Sequence, residues 1–581
     1  MENISSVLNK VFAEAINKAF GIDASSYLEV SVSTNQKFGH YQCNSAMRLA
    51  KELKKSPRDV ATLIIDSIDV ILFESLDIAG PGFINITLSK VMLAKCMKDM
   101  LIEPKFGFVT DGNSQERVVV DFSSPNIAKE MHVGHLRSTI IGDSIARLFE
   151  YLDYDVLRLN HIGDWGTAFG MLIAHMQDNA TKVLSSEESA SISDLMAWYK
   201  EAKLRFDSDE EFKDRSQKQV VDLQSGDSNA LNAWKIICDL SRSAFKEIYI
   251  LLDINAIERG ESFYNPYLEK VVKDSLDSGL AEVSDGAVCI FLDGFTNRDG
   301  DRLPFMIRKS DGGYNYATTD LAAMWHRVTK EKANRIVIVT DNGQSEHFKM
   351  LFAVGEKTGI AENVELNHVP FGLVLGSDKK KFKTRSGTTE KLIDLLSNAV
   401  SKALETIKAR EDSNLSDEEQ DSLAEILGIG AVKYADLSNS RLSDYVFSYS
   451  KMLQFEGNTI VYLMYSYVRV AGIKRKLNLS DSDLEQLISS TELKVETETE
   501  IDLALHLSRF NDVLERFSKD LMPNKLTDYL YDLANKYNRF FRDCRVVGDE
   551  LQDSRLVLCE LVSKVMKQGM EILGIKPIDK M

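Results

Sequence analysis

Two histidines and a glycine lie close together in the segment 125–137, which follows the apolar run 118–120. His132 and His135 are three positions apart, so at a helix start both imidazoles would point to the same side. Gly134 between them leaves room for a ring or a backbone to approach closely. The N-terminus of a helix carries N–H groups and partial positive charge that favour a bound anion. The segment therefore predicts a nucleotide site in which both histidines donate hydrogen bonds to phosphate oxygens.

A tyrosine and a carboxylate form a second group that could do chemistry. Tyr316 and Asp320 are four positions apart, which is one helical turn, so their side chains would converge on one spot. A guanidinium group has five N–H donors in a rigid fork and is best matched by a carboxylate. An arginine side chain would therefore fit here. The alternative for this pair is a core tyrosine and a helix-capping aspartate.

The elements that must position these groups can be read from the apolar pattern. Residues 118–120 and 336–339 are apolar runs typical of buried strands, and 155–160 predicts another short strand. Apolar residues recur at helical spacing over 140–152. Strand, helix and strand in this order predict a βαβ unit, and ligands of such sheets bind at the carboxyl ends of the strands.

The residues around His132 and His135 narrow the interpretation. A bare His-x-x-His pair is a weak signal, because packing and surface histidines produce the same spacing. Here the chain over 117–170 resembles the signature of class I aminoacyl-tRNA synthetases in the form carried by the arginyl family, and the resemblance extends over 39–577. The matching residues are Asp121, Phe122, Ser123, Ser124, Pro125, Asn126, Ala128, Lys129, His132, Gly134, His135, Arg137, Ser138 and Thr139.

That resemblance implies an α/β Rossmann-like class I synthetase catalytic domain with an N-terminal α+β add-on domain and a C-terminal all-α helical bundle. It implies activation of L-arginine with ATP to arginyl-adenylate, release of pyrophosphate, and transfer of arginine to the 3′-terminal ribose of tRNA(Arg) to give arginyl-tRNA and AMP. It also implies that tRNA must be bound before activation. An editing domain is not evident. Editing would be unnecessary, because a neutral amino acid would leave a buried carboxylate unpaired and would be discriminated against by ~10⁴-fold or more.

The resemblance also assigns roles to single residues. The implied arginine pocket is lined by Asp121, Asn126, His132, Tyr316, Asp320 and Gln344. Of these, Asp121, Asn126 and Gln344 would lie near the backbone end of the amino acid. The implied ATP site contains His132, Gly134, His135 and His347. Mg²⁺ is expected to be carried with ATP, and no protein-held metal is expected.

The segment 372–387 lies where class I synthetases carry the Lys-Met-Ser-Lys-Ser loop, which closes over ATP and places an ammonium group on migrating negative charge. Here Thr384 stands at the usual second lysine. Many arginyl enzymes also lack this second lysine. In them a lysine three residues before the His-x-Gly-His motif looks like its replacement, and Lys129 occupies that position here. We therefore expect Lys129 to contact phosphate in the transition state, with a secondary role for the loop cations Lys381, Lys383 and Arg385.

The chain divides into four expected segments. Residues 1–103 would form the N-terminal add-on domain, which the family uses to contact the outer corner of tRNA. Residues 117–375 would form the catalytic domain, interrupted near 180–230 by a charged, serine-rich insertion that looks helical. Residues 376–424 would hold the ATP-closing loop and connecting helices. The remaining segment, 425–581, is expected to be a helical anticodon-binding domain.

RNA contacts are expected at both ends of the chain. In the N-terminal domain the candidates are Tyr41, Gln42 and Asn44, and the alternative is that these residues cap and pin a helix. Arg469 lies near aromatic residues that could stack on unpaired anticodon bases, although most of those aromatics must be core. The polar run 477–500 in the same region predicts a long loop.

Composition sets the outer bounds. The 581 residues, 44% of them hydrophobic, suffice for three or four domains with real cores. No stretch approaches the roughly 20 apolar residues of a membrane span, so a cytoplasmic protein without a membrane partner is expected. The six cysteines form no Cys-x-x-Cys pair, which indicates neither structural zinc nor disulfides. A monomer is the family expectation.

Net charge and two rival interpretations remain. The formal charge of −18 argues against a nucleic-acid partner until the local basic clusters 379–385 and 469–476 are considered.

One rival interpretation is another synthetase of the class, such as the cysteinyl enzyme, which would be expected to show zinc-ligating cysteines and a complete Lys-Met-Ser-Lys-Ser loop. The other is a non-enzymatic RNA-binding paralogue. Against it stands the joint presence of His132, His135, Lys129, Asp320 and Gln344.

Overall fold

The structure is a computed structural model that describes residues 4–110, 112–297, 299–376, 378–380, 390–409 and 415–581. The chain forms two compact units. Met1–Asp111 and Gln454–Met581 together form one of them, called here the terminal unit, and Gly112–Leu453 forms the central unit. Among the described helices, none combines the length and the apolar character needed to cross a membrane.

The terminal unit begins with a small antiparallel sheet and four α-helices. Its strands are β1 (Val30–Val32), β2 (Tyr41–Cys43), β3 (Phe73–Ala79) and β4 (Phe83–Leu88), in the order β1-β2-β4-β3. Its helices are α1 (Ile4–Phe20), α2 (Ser45–Leu53), α3 (Pro57–Ile65) and α4 (Lys90–Ile102). This confirms the expected α+β character of the N-terminal region.

The central unit is built on a parallel sheet. Its strands are β5 (Arg117–Asp121), β6 (Asp155–Asn160), β7 (Ile257–Glu258), β8 (Ala281–Ser284), β9 (Ala287–Thr296), β10 (Arg302–Arg308), β11 (Arg335–Asp341), β12 (Glu365–Phe371), β13 (Val374–Leu375) and β14 (Tyr445–Val446). The parallel sheet has the order β12-β11-β5-β6-β7, while β10-β9-β8 form an antiparallel sheet and β13 pairs with β14. Residues 118–120 of β5 are fully buried, as expected for a parallel strand covered on both faces.

Helices surround this sheet and complete the expected strand–helix–strand units. They are α5 (Val133–Tyr151), α6 (Thr167–Asn179), α7 (Thr181–Leu184), α8 (Ile192–Ser208), α9 (Glu210–Ser225), α10 (Ser228–Leu251), α11 (Asn265–Asp277), α12 (Tyr316–Thr329), α13 (Ser345–Lys357), α14 (Leu392–Lys408), α15 (Asp417–Leu437) and α16 (Tyr449–Met452). The predicted strands at 118–120, 155–160 and 336–339 are confirmed. The expected insertion near 180–230 is helical and continues to the end of α10.

The C-terminal part of the terminal unit is all helical, as expected. Its helices are α17 (Ile460–Lys476), α18 (Asp481–Ser490), α19 (Glu498–Leu507), α20 (Phe510–Asp520), α21 (Asn524–Asp543) and α22 (Gln552–Ile572). The prediction of a long loop over 477–500 is wrong, because α18 lies inside it. Ser480 and Asp483 cap the start of α18 reciprocally, and Leu484 and Ile488 are buried on one face.

One expected boundary falls inside a helix. Residue 425 lies within α15, which packs on α14 and α5 of the central unit. Leu427, Val432 and Tyr434 of α15 are buried. The structure therefore groups 425–453 with the central unit. The spacing of the apolar residues in α15 predicts a helix but does not show which helices it packs against.

Candidate active site

The candidate site is a cavity of about 220 Å³ at the carboxyl ends of β5 and β11, beside α12. Strand ends of a parallel sheet collect residues that are distant in sequence, and this is where open α/β sheets bind ligands. Five of the six residues predicted for the arginine pocket line the cavity, namely Asp121, Asn126, Tyr316, Asp320 and Gln344. The sixth, His132, lies at the start of α5 instead and belongs with His135.

Asp320 is held by a histidine before any ligand arrives. His347 Nε2 lies 2.7 Å from Asp320 Oδ2. The His347 ring stacks on Phe305 at 5.8 Å between centroids and meets Tyr316 edge-on at 4.9 Å. His347, predicted from the resemblance to contact ATP, is thus placed against the two residues predicted to bind a guanidinium group.

Asp121 is already paired with an arginine of the chain itself. Arg327 Nη2 donates to Asp121 Oδ2 at 2.5 Å, and both side chains are almost completely buried. Burial lowers the pKa of Arg327, but the Asp121 carboxylate and Tyr264 raise it more, so the net shift is upward. Arg327 was missed in the sequence, although Asp320 and Arg327, seven positions apart on α12, share a helical face.

Glu261 supplies a further carboxyl group to the cavity. Burial, followed by the charges of Asp320 and Asp164, raises the pKa of Glu261 to about 8. Asp164 fixes the turn that carries Glu261, since its two oxygens accept the N–H of Ser262 at 2.8 Å and the Ser262 hydroxyl at 2.6 Å. No motif marked Glu261, and the signal that could have found it is its place just after β7, at another strand end.

The two motif histidines lock each other at the start of α5. Gly134 N–H donates to His132 Nδ1 at 3.1 Å, and His132 N–H donates to His135 Nδ1 at 3.0 Å. An imidazole whose Nδ1 accepts carries its proton on Nε2 when neutral, so each ring has its donor directed away from the backbone. Burial, His132 and Lys129 lower the pKa of His135 to about 3, which keeps that ring neutral. The ring centroids lie 4.1 Å apart.

Lys129 is exposed in the turn before α5, and the chain around 390 returns to the same place. The backbone of Lys391 pairs with that of His132, and Leu392 N–H donates to Met131 O at 2.8 Å. Lys391 Nζ lies 2.6 Å from Glu130 Oε1. The residues 381–389, with the predicted loop cations Lys381, Lys383 and Arg385, lie outside the described residues.

The loop between β5 and α5 has an unusual backbone. Ser123, Ser124 and Ala128 have φ values of 74°, 46° and 61°. A non-glycine residue in this left-handed region costs about 1–3 kcal/mol, and such strain persists where surrounding contacts fix it, often at functional sites. Gly163 lets the loop approach the segment that follows β6, since a Cβ there would lie 2.2 Å from Asn126 Oδ1.

In the terminal unit the structure corrects one of the RNA-contact candidates. Tyr41 is 1% exposed, with its ring 6.0 Å from the guanidinium of Arg509, so it is a core residue. Side chains alternate along β2, and therefore Gln42 points to the other face, where it donates to Asn85 Oδ1 at 2.9 Å. Asn44 precedes α2, with its amide 3.5 Å from Glu29 Oε1.

Arg469 is held between two exposed rings. Its guanidinium lies 4.9 Å from the Tyr465 ring centroid and 4.8 Å from that of Phe541. Arg469 also donates to Asn538 Oδ1 at 2.7 Å. Tyr465 and Phe541 are 47% and 38% exposed, which separates them from the buried aromatics of the bundle.

The catalytic architecture defines a class. Residues 97–449 match the family described as tRNA synthetases class I (R), catalytic domain. Residues 6–88 match the arginyl tRNA synthetase N terminal domain, and 463–581 match the DALR anticodon binding domain. The chain is a class I tRNA synthetase. Within the described residues, no three His, Cys, Asp or Glu side chains are grouped closely enough to hold a metal ion.

Individual relatives identify the family within the class. The chain is 52% identical to the arginine–tRNA ligase of Protochlamydia amoebophila, with all of both chains covered. The crystal structure of arginyl-tRNA synthetase from Plasmodium falciparum superposes with a TM-score of 0.86 at 35% identity over all of both chains. That of Thermus thermophilus has the same fold, with a TM-score of 0.79 at 21% identity and the same coverage. The chain belongs to the arginyl-tRNA synthetases, and its reaction is the ligation of arginine to tRNA.

Proposed function

We propose that the chain joins L-arginine to tRNA(Arg) in two steps in the central unit. In the first step the carboxylate of arginine attacks the α-phosphorus of ATP in line, which forms arginyl-adenylate and releases pyrophosphate. In the second step a terminal ribose hydroxyl of the tRNA attacks the adenylate carbonyl, and AMP leaves. No covalent enzyme nucleophile is needed, so positioning and charge stabilisation supply the rate.

The observation that carries this proposal is the convergence of Tyr316, Asp320 and Glu261 on one cavity whose other buried carboxylate, Asp121, is already paired with Arg327. A guanidinium entering beside Asp320 and Glu261 finds acceptors in a position to receive its N–H fork. A neutral amino acid would bring no cation to match the Asp320 carboxylate and would be rejected. Asn126 and Gln344 are the residues proposed to hold the backbone end of the amino acid.

We assign the phosphate groups of ATP to the start of α5. The Nε2–H groups of His132 and His135 and the N-terminus of α5 favour phosphate oxygens. Lys129 would contact the migrating charge, helped by Lys381, Lys383 and Arg385. Mg²⁺ prefers phosphate oxygens with few protein ligands, and it is proposed to enter with ATP.

The terminal unit is proposed to bind the tRNA. Tyr465 and Phe541, with Arg469 between them, form an exposed platform on which unpaired anticodon bases can stack. Gln42 and Asn44 remain the candidates for contact with the corner of the tRNA. We further propose that arginine activation waits for tRNA, and that the protein acts as a monomer in the cytoplasm.

The test is ATP–pyrophosphate exchange with each of the standard amino acids, with and without a tRNA(Arg) transcript. We expect exchange with arginine and only when tRNA is present. Exchange with a different amino acid would refute the pocket assignment, and exchange without tRNA would refute tRNA-dependent activation. No exchange under any condition would favour the non-enzymatic paralogue. Sedimentation of the same protein checks the monomer.

A further inference from the structure

Helix α10 of the insertion contacts the strained loop between β5 and α5 at two points. Ser241 Oγ accepts the backbone N–H of Ala128 at 3.0 Å, in a buried contact. About two turns further along, near the C-terminal end of α10, the Tyr249 hydroxyl lies 2.8 Å from Ser123 Oγ. The two contacts hold opposite ends of the loop against one rigid helix.

A third contact reaches the loop through β6. Asn160 Nδ2 donates to the Tyr249 hydroxyl at 3.0 Å, and Asn160 Oδ1 accepts the N–H of Ser124 at 3.0 Å. The Tyr249 hydroxyl therefore forms hydrogen bonds with both Asn160 and Ser123. One hydroxyl group therefore orients both of the first two strained residues.

Within the loop between β5 and α5, the residues that α10 contacts are those with a strained backbone. Ser123, Ser124 and Ala128 are the loop residues with positive φ, and each is bound by α10 directly or through Asn160. Hydrogen bonds to buried groups are costly to lose, because the partner then stays unsatisfied. Such bonds can offset the strain of a left-handed backbone.

The same network extends to the motif histidines. Thr139 Oγ1 lies 2.8 Å from Ser123 Oγ and 2.7 Å from the carbonyl oxygen of His135. A displacement of Ser123 would therefore also displace the first turns of α5. Asn126 lies between the strained residues, and Lys129 directly follows Ala128.

We propose that Tyr249 and Ser241 are positioning residues for arginine activation, which hold the loop 123–129 in the conformation that presents Asn126 and Lys129 to the substrates. The inference rests on the proposed function, because that function gives Asn126 and Lys129 their roles. Neither Tyr249 nor Ser241 touches the reacting atoms. They act through the backbone geometry of the loop, where a displacement of about 1 Å can cost up to 100-fold in rate.

Two substitutions test the role, and the chain offers a matched control. Tyr249→Phe keeps the ring and removes the hydroxyl, and Ser241→Ala removes the acceptor for Ala128. Ser243→Ala is the control, because Ser243 is exposed on the same helix and bonds to Asp239 O at 3.0 Å just as Ser241 bonds to Ile237 O. Each variant is assayed for arginine KM and for kcat of aminoacylation per active site, counted by titration of the adenylate burst.

We expect Tyr249→Phe to raise the arginine KM and lower kcat per active site, so that kcat/KM falls about 10-fold or more, and Ser241→Ala to lower it about 3-fold. Ser243→Ala should match the unchanged protein. A merely structural role would reduce the active fraction and the melting temperature while KM and kcat per active site stay unchanged, and that result would overturn the proposal. If Tyr249→Phe does not fold, Ser241→Ala alone decides by the same criterion.

The outcomes separate this inference from the function on which it rests. If the unchanged protein and Ser243→Ala charge tRNA with arginine and the two test variants match them per active site, the positioning role fails alone. If the unchanged protein charges no arginine, the proposed function fails first. Calorimetric titration of each variant with L-arginine then checks the pocket without any catalysis.

Discussion

The two ends of the candidate active site are built in opposite ways. In the proposed arginine pocket, Asp121 and Asp320 are partly or fully buried and are paired with Arg327 and His347 before a substrate arrives. At the end proposed to bind phosphate, called here the phosphate end, His132 and Lys129 are exposed at a helix start. A neutral ligand brings no cation to match the Asp320 carboxylate, and an unmatched charge is costly in a low dielectric. An open helix end suits a large anion that must enter and leave.

This contrast predicts that the two ends can be damaged independently. Changes at the phosphate end should lower kcat and leave arginine binding intact, whereas changes in the pocket should act on arginine and spare ATP. The experiments below follow that division from the largest expected effect to the smallest.

Replacing both motif histidines should have the largest effect. His132→Asn together with His135→Asn keeps side-chain acceptors at the helix start but removes both Nε2–H donors. We expect kcat for adenylate formation to fall by at least about 10³-fold, since each lost transition-state donor costs about 10²-fold or more. Calorimetry should find the dissociation constant of arginine nearly unchanged. An unaltered kcat would remove the histidines from the mechanism.

Asp320→Asn should disable the pocket. The amide cannot carry the charge that pairs with a guanidinium, and it leaves His347 facing a neutral group. We expect kcat/KM for arginine to fall about 10²- to 10³-fold, mostly through KM, as for a lost partner of a buried charge pair. The KM for ATP should hold. Asp293→Asn is the control, because Asp293 is a 96% exposed carboxylate of the same unit, paired with Lys357 at the surface. Equal behaviour of the two variants would contradict the assignment.

Lys129→Met should affect only the phosphate end. Loss of the ammonium group removes charge stabilisation, so kcat should fall by about 10²-fold while the arginine dissociation constant stays the same. Lys332→Met, at an exposed lysine of the same unit, should behave like the unchanged protein. If both variants keep full activity, the cation that replaces the usual second loop lysine must be sought elsewhere.

The smallest effect is a pH dependence that belongs to the pocket. Glu261 has its pKa raised to about 8 by burial and by Asp320 and Asp164, so near pH 7 it is protonated in the unliganded protein. A guanidinium favours the ionised form, and the pKa therefore falls on binding. Arginine affinity should rise with pH, by at most about 10-fold per unit, and level off above a pH of about 8.

Calorimetry in buffers of different ionisation enthalpy measures the proton released on binding. In Glu261→Gln the pH dependence and the proton release should both disappear, and arginine should bind more weakly at pH values above about 8. A pH dependence that survives in Glu261→Gln would assign it to another group.

The sequence predicted the parts of the site whose members are close along the chain. Tyr316 and Asp320 were brought together by one helical turn, and His132 and His135 by the start of α5. The pattern also predicted strands β5 and β11, at whose carboxyl ends the cavity lies. Polar composition was misleading over 477–500, where α18 has a short buried face. The resemblance suggested an RNA contact for Tyr41, but the side chain points inward from β2.

The sequence by itself determined the order of strands, loop and helix, the paired histidines, and the convergence of a phenol and a carboxylate, because local spacing fixes which side chains share a face. Only the tertiary structure decided what those faces meet. It paired Asp121 with Arg327 and Asp320 with His347, brought Glu261 to the cavity, and tied α10 to the strained loop. The physical reason is that parallel strands gather distant residues at one edge, and a buried charge must find its partner in space rather than along the chain.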